Sequence, residues 1–342
     1  MSPVQAAERN LRWLLQPIST TLADAKLTDM HINGAGVGMC FVDRGRGMEQ
    51  ITLPYSVEDL EDIAINAAAL TRQDIAEDVP LVSTRFPDGH RVQIVRPPAV
   101  GDGQFAFSIR RPSAETWTPE QLEQAGVFRL AVGRQPRARL WRDKLAALYA
   151  GQEWRAFLEL AIKARLNIVF SGTVGSGKTF NMRSLTHAIP PEWRIVTIED
   201  MLELIDLPCA NVVNLMYSKG GQSVAKVTAG DLVEAALRMG MDGLLVQELR
   251  DDAAFAFLNV LKSGHWGMST THADSGEDVF ERIAGLVKQH QAGMHLAQDD
   301  LLRTLRRNIH VVVHCFRDGN HRYIEQVLYE PAGSSAIPLA AE

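Results

Sequence analysis

Apolar and polar positions change rhythm once along the chain, near residue 150. Before that point helix-like and strand-like patterns are mixed. In "SVEDLEDIAINAAALTR", Leu60, Ile63, Ala64, Ala67 and Ala68 recur at helical spacing, and Ser56 with Asp59 has the spacing of a capping box. "DMHINGAGVGMCFVD" carries strand-like pieces around a Gly-rich turn, and "HRVQIVRPP" and "QFAFSIRR" alternate apolar and polar residues as half-buried strands do. After residue 150, helical patterns alternate with the short apolar runs "NIVFSG", "RIVTIED", "GLLVQE" and "GMSTTHA". Strands separated by helices predict a parallel sheet covered on both faces. Thr228 with Asp231 and Ser275 with Asp278 mark two helix starts, and "HVVVHCF" and "RYIEQVLYE" read as two closing strands joined across "RDGN". The expected fold class is α/β: a mixed α+β N-terminal domain over 1–133, a basic linker over 134–148, and a second domain over 149–342 ending in a loose tail, 332–342.

Composition narrows the function classes. A chain of 342 residues with 46% apolar content is long enough for two cored domains. Its net charge of −6 does not advertise nucleic-acid binding. Cys40, Cys209 and Cys315 are odd in number and far apart, which suits a reducing compartment rather than a disulfide framework. "MSPVQAAERN" lacks a basic patch followed by an apolar stretch, so no signal peptide is expected, and no uncharged apolar run reaches the roughly 20 residues of a membrane span. Two segments leave room for peripheral attachment. Arg134, Arg137, Arg139, Arg142 and Lys144 make the linker basic, either as a solvated connector or as a surface near a nucleotide, a subunit or anionic lipid. In "LRWLLQPI", Leu11, Leu14, Leu15 and Ile18 share a helical face, for core or subunit packing first and a membrane surface second.

The chemistry concentrates in "FSGTVGSGKTFN". Gly172, Gly177, Lys178 and Thr179 match G-x-x-x-x-G-K-[ST], enclosing Thr173, Val174, Gly175 and Ser176 and followed by Phe180, with an apolar strand before and an amphipathic helix after. Glycines let backbone amides turn inward around an anion, and a helix N-terminus adds unpaired N–H groups and the positive end of its dipole. Lys178 is expected on the β- and γ-phosphates of a nucleotide, and the Thr179 hydroxyl on Mg2+. Two later strands end in carboxylates, at Glu199 and Asp200 with Glu203 close behind, and at Glu248. Parallel strands bring their C-terminal ends to one edge, so all four can approach the γ-phosphate, although alternation turns Glu199 and Asp200 opposite ways. Glu203 and Glu248 are the two candidates for orienting or deprotonating water, taking the place of the usual aspartate. His265 and His272 flank a short strand near the same edge as reporters of the γ-phosphate. A metal cluster of His310, His314, Cys315 and His321 is a lesser reading, because "HVVVHC" is a plain strand without a zinc spacing.

These motifs together resemble the hexameric secretion-superfamily ATPases that drive type II secretion, type IV pili and type IV secretion. "IEDMLEL" is similar to their acidic E-D-x-x-E box, whose last glutamate falls on Glu203. "LRMGMDGLLVQELRD" resembles their Walker B, which ends in glutamate, here Glu248, and "GHWGMSTTHA" resembles their His box, with His265 and His272. "FPDGHRVQIVRPPAV", "FSIRRPS" and "LEQAGVF" look like the N-terminal domain of the type IV secretion (conjugation) branch. The resemblance runs from about residue 22 to about 330. It implies a RecA-like P-loop ATPase domain with the N-terminal domain lying over it and ATP between the two. It also implies a homo-hexameric ring and phosphate contacts from Arg91 and Arg110. The implied place is cytoplasmic, peripheral at the inner membrane, beside the cytoplasmic and inner-membrane components of a type IV secretion system, including its other ATPases. Val174 and Phe180 stand where the family often has threonine, Met241 where proline is common, and Gln247 where glycine usually precedes the Walker B glutamate. A nucleic-acid motor on a related core is the alternative, and direct nucleic-acid binding is not expected.

Overall fold

In the computed structural model, residues 2–112, 116–129, 139–218 and 223–329 are described, with only the backbone at 139, 140, 251 and 252. Two sheets account for the chain. The first has six antiparallel strands in the order β3-β2-β1-β6-β5-β4: β1 (Asp29–Ile32), β2 (Cys40–Asp43), β3 (Met48–Ile51), β4 (Leu81–Arg85), β5 (Arg91–Val95) and β6 (Ala106–Arg110). Helices α1 (Pro3–Leu14) and α3 (Val57–Leu70) cover one of its faces, with the short α2 (Ser19–Ala23) between them in sequence. Ser56 and Asp59 form the expected capping box, and the five apolar positions read from α3 are all buried. Leu11, Leu14, Leu15 and Ile18 join the same core, so that face is already used for packing.

Helix α4 (Pro119–Gln124) leads to α5 (Arg139–Ala150), so much of the span read as a basic linker is helical, with Leu145 buried beside α6 (Trp154–Lys163). Arg134, Arg137 and the 332–342 tail lie outside the described residues.

The second sheet has the order β13-β12-β7-β11-β10-β8-β9. Strands β7 (Ile168–Ser171), β8 (Ile195–Glu199), β9 (Val212–Met216), β10 (Gly243–Val246), β11 (Trp266–Thr271) and β12 (Val311–Asp318) run parallel, and β13 (His321–Tyr329) closes antiparallel on β12. Helices α7 (Lys178–Leu185), α8 (Ala229–Ala236), α9 (Asp251–Lys262), α10 (Asp278–Val287) and α11 (Gln298–Asn308) pack around it, giving a RecA-like core. β7, β8, β10 and β11 are buried along their whole length, as expected for parallel strands sandwiched between helices.

One expectation fails between the sheets. β5 and β6 were expected half-buried, yet Val92 to Val95 and Ala106 to Ile109 are buried throughout. The second domain covers their outer face: Val95, Ala99, Val100 and Ala106 share a core with Val213, Leu215 and α8. The seam is polar at one end. Arg194 has no exposed surface; it donates from Nε to the Met239 carbonyl (2.8 Å), from Nη1 to Asn33 Oδ1 (3.0 Å) and Asn211 Oδ1, and from Nη2 to Ser108 Oγ (3.2 Å). Burial pushes its pKa down to about 9, with Asp242 and Asp29 pulling partly back. Arg194, Asn211 and Met239 all precede parallel strands, so this polar cluster sits at the edge where those strands begin.

Candidate active site

The opposite edge, where the parallel strands end, carries the phosphate loop. Gly172 leaves β7 with φ +139°, and a Cβ there would collide with the Cys315 carbonyl of β12, so only glycine lets the loop turn this tightly against its neighbour. The buried Ser176 hydroxyl donates to the Thr173 carbonyl (2.9 Å), which fixes the curl. Gly177, in the left-handed region, starts α7 and aims its first turn at the loop's centre. Val174 and Phe180 are exposed on either side of it.

Lys178, only 8% exposed, donates from Nζ to the carbonyls of Gly172 and Thr173 (2.9 Å each) and to His272 Nδ1 (3.3 Å). An ammonium can only donate, so Nδ1 accepts and the imidazole proton sits on Nε2. Nε2 lies 3.2 Å from Glu248 Oε1, and Glu248 Oε2 accepts from Arg250 Nη2 at 2.6 Å. Lys178, His272, Glu248 and Arg250 thus form one continuous chain across the loop mouth. Burial lowers the Lys178 pKa, with Glu248 pulling it back. Burial, and then the charge of Lys178, lowers His272, which therefore stays neutral. Burial alone would raise Glu248, but the hydrogen bond and charge of Arg250, with His272 and Lys178, outweigh it and the net shift is down. Glu248 is an ionised acceptor held on both sides.

Glu199 and Asp200 do face opposite ways. Glu199 is fully buried and accepts from the backbone N–H of Glu203 (2.7 Å) and Leu204 (2.8 Å) and from Thr197 Oγ1 (2.7 Å). Asp200 and Glu203 line a cavity of about 700 Å³ together with Thr179, Gln247, Glu248 and Arg250. Pro98 and Ala99 of the N-terminal domain form its other wall, tied there by the Met216 N–H donating to the Ala99 carbonyl (2.9 Å). Gln247, which stands in place of the family's glycine, accepts from the Asp200 N–H through its side-chain oxygen (3.1 Å) and stitches the two acidic strand ends together. Arg250 is the neighbour that motif reading passed over. An arginine two residues past an acidic strand end was the available signal.

Two sequence-derived placements differ. His265 precedes β11 and bonds Ser263 Oγ (2.8 Å), while His272 follows the same six-residue strand. At about 3.3 Å per residue the two are about 20 Å apart along the strand, so His272 alone reaches the site. Arg91 and Arg110 are cross-strand partners at one end of β5 and β6, with Arg110 Nε 3.4 Å from Asp29 Oδ1. They lie at the end of β5 and β6 away from Val95 and Ala106, whereas Ala99, beyond Val95, meets the cavity. Neither arginine lines that cavity within one chain. Among the described residues no group of three or more His, Cys, Asp or Glu side chains is placed to hold a metal. His314 Nδ1 bonds Ser171 Oγ (2.9 Å) and His310 Nδ1 accepts from the Asn167 N–H (3.0 Å), so these are strand-supporting side chains.

Comparison with known proteins fits this geometry. The family model described as Type II/IV secretion system protein matches residues 58–314. "Protein VirB11" of Agrobacterium fabrum is 37% identical over 314 residues, 89% of this chain and 88% of that protein. "Type IV secretion system protein VirB11" of Brucella suis is 35% identical over 332 residues, covering 95% and 91%. The crystal structure of the VirB11 ATPase from the Brucella suis type IV secretion system, in complex with sulphate, superposes with a TM-score of 0.88 at 33% identity and 96% coverage of each chain.

Proposed function

The chain belongs to the Type II/IV secretion system protein family, and from that premise we propose how its geometry turns over ATP. It is a type IV secretion ATPase: it binds ATP at the phosphate loop and spends it on assembly of, or transfer through, the secretion machine. Lys178 and the amides of residues 173–179 hold the triphosphate. The Thr179 hydroxyl beside the loop suits Mg2+, which keeps most of its waters and binds through one or two protein groups plus phosphates. When bound, Mg2+ neutralises charge that develops on the phosphates. Glu248 takes the proton of the attacking water as the γ-phosphate leaves ADP. His272 holds Glu248 in register with Lys178, and Glu203 orients the water from the facing cavity wall.

Arg91 and Arg110 do not line the cavity of their own chain, so their contacts with phosphates come from a neighbouring copy. This favours a ring in which adjacent subunits complete each other's sites, a homo-hexamer by resemblance. No described helix is long and apolar enough to cross a membrane. By resemblance, the ring works from the cytoplasmic side, against the inner-membrane and cytoplasmic components of the secretion system.

The observation that carries this reading is the unbroken chain from Lys178 through His272 to an ionised Glu248. ATPase kinetics test it. Glu248→Gln is expected to lower kcat by about 10²-fold or more while nucleotide affinity is kept, the scale of a lost general base. Glu203→Gln is expected to lose less. A Glu248→Gln enzyme turning over near the wild-type rate removes Glu248 from the role.

A further inference from the structure

The hairpin that closes the second sheet brings two arginines face to face. The tight Gly319–Asn320 turn pairs Asp318 with His321 and, one step back, Arg317 with Arg322. Directly opposed residues share a face of a hairpin, and like charges so placed repel. Arg12, Arg44, Arg96 and Arg183 pair with carboxylates, but Arg317 and Arg322 have no carboxylate within ion-pair distance among the described residues. Among the described residues their only hydrogen bonds run from Nε to main chain: Arg317 to the Gly319 carbonyl (2.8 Å) and Arg322 to the Gly175 carbonyl (2.9 Å). Both forks keep their terminal nitrogens for another acceptor.

Their position says which acceptor. Arg322 is bound to the phosphate loop itself, and its Cδ lies 3.6 Å from where a Cβ on Gly177 would be. Arg317 Nη1 lies 3.1 Å from where a Cβ on Gly175 would be. Two exposed guanidinium groups therefore stand over the glycine arc whose amides face the α- and β-phosphates in such loops. They stand on the β12–β13 side, while Glu248 and Glu203 line the other. A planar fork matches two phosphate oxygens at once, and an anion between the two arginines removes the repulsion that the fold leaves standing.

We propose that Arg317 and Arg322 form a cationic clamp on the α- and β-phosphates of the bound nucleotide. The clamp rests on the phosphate-loop reading above and adds to it a pair of binding residues from the C-terminal hairpin. It grips ADP and ATP alike and ignores AMP, whose single phosphate cannot span both forks. Its contribution is to affinity, so it moves KM and leaves kcat nearly unchanged.

Calorimetric titration of the full chain with ADP, ATP and AMP, beside steady-state ATPase kinetics, tests it. Arg317→Gln and Arg322→Gln are each expected to weaken ADP by about fivefold to tenfold, the double variant by about 50-fold, and the ATP KM to rise in step, as the loss of charge-assisted contacts dictates. The Arg317→Lys/Arg322→Lys double variant keeps the charge without the fork and falls between. Lys178→Ala separates the two levels of the argument. If Lys178→Ala binds ADP as wild type does, the phosphate-loop reading is wrong. If Lys178→Ala loses ADP while the double glutamine variant binds it within twofold of wild type, the clamp alone is wrong. Binding to phosphatidylglycerol vesicles is the last arm: its loss in the double variant with ADP affinity intact assigns the hairpin to a lipid surface and overturns the proposal.

Discussion

Replacing Glu199 separates what an acidic strand end does for the fold from what it does for catalysis. Its carboxylate accepts from two backbone N–H groups and the Thr197 hydroxyl, all at 2.7–2.8 Å and all buried. Thr197 Oγ1 in turn accepts from Asn214 Nδ2 (2.9 Å). Glu199→Ala strips an acceptor from three donors. A buried donor left unmade costs roughly 1–3 kcal/mol, so with some relaxation and water entry the variant should lose about 3–4 kcal/mol. Glu199→Gln keeps one oxygen for both N–H groups and turns its amide to Thr197, whose second lone pair can accept it. Charge assistance goes and the Thr197 O–H loses its acceptor, about 2 kcal/mol in all. The same turn presents Glu203 to the cavity, and misplacing a reacting group by about 1 Å can cost about 10²-fold. Glu199→Gln should therefore lower kcat by about tenfold at unchanged KM. In a Glu203→Gln background it should cost nothing further, because Glu199 works only through Glu203. Urea unfolding and ATPase rates on the four proteins of this cycle decide the matter. A Glu199→Ala protein within about 1 kcal/mol of wild type refutes the hydrogen-bond argument. An equal kcat loss from Glu199→Gln in both backgrounds refutes the positioning role.

Two further outcomes follow from the same geometry. Arg194→Met leaves Asn33, Asn211, Ser108 and the Met239 carbonyl without their shared donor, and should cost about 2–4 kcal/mol after crediting the charge no longer buried; an unmoved urea midpoint contradicts this. His272 has its pKa lowered by burial and by Lys178, and its neutral form is the one that accepts from Lys178 while donating to Glu248. As pH falls through that depressed value, on the acid side of histidine's ordinary range, the acceptor is lost, so kcat/KM should decline there and recover above it. His272→Asn should lower the plateau and remove this limb, and an identical acid limb in the variant assigns the titration elsewhere.

What was legible in the sequence is what short-range physics fixes. The α3 face, the capping boxes at Ser56 and Thr228, the phosphate loop between strand and helix, and the opposite facing of Glu199 and Asp200 each follow from spacings of a few residues. What was missed depends on partners far along the chain. Ser108 and Arg194 read as an outward polar position and a strand start, yet they meet across 86 residues in the seam. The same seam, through the core that Val95, Ala99 and Ala106 share with Val213, Leu215 and α8, covers the second face of β5 and β6. His265 and His272 looked equivalent because a motif carries no length scale, and a six-residue strand supplies one. The arginine pair lies between these cases. Reading "RDGN" as a turn foresees the hairpin but not its register; the two-residue loop at Gly319–Asn320 in the structure makes 317 oppose 322. Nothing local says what that face looks at. Only the parallel pairing of β12 with β7, which leads directly into Gly172, hangs the hairpin over the phosphate loop. Register turns two surface charges into a repelling pair, and strand order gives that pair an anion to hold.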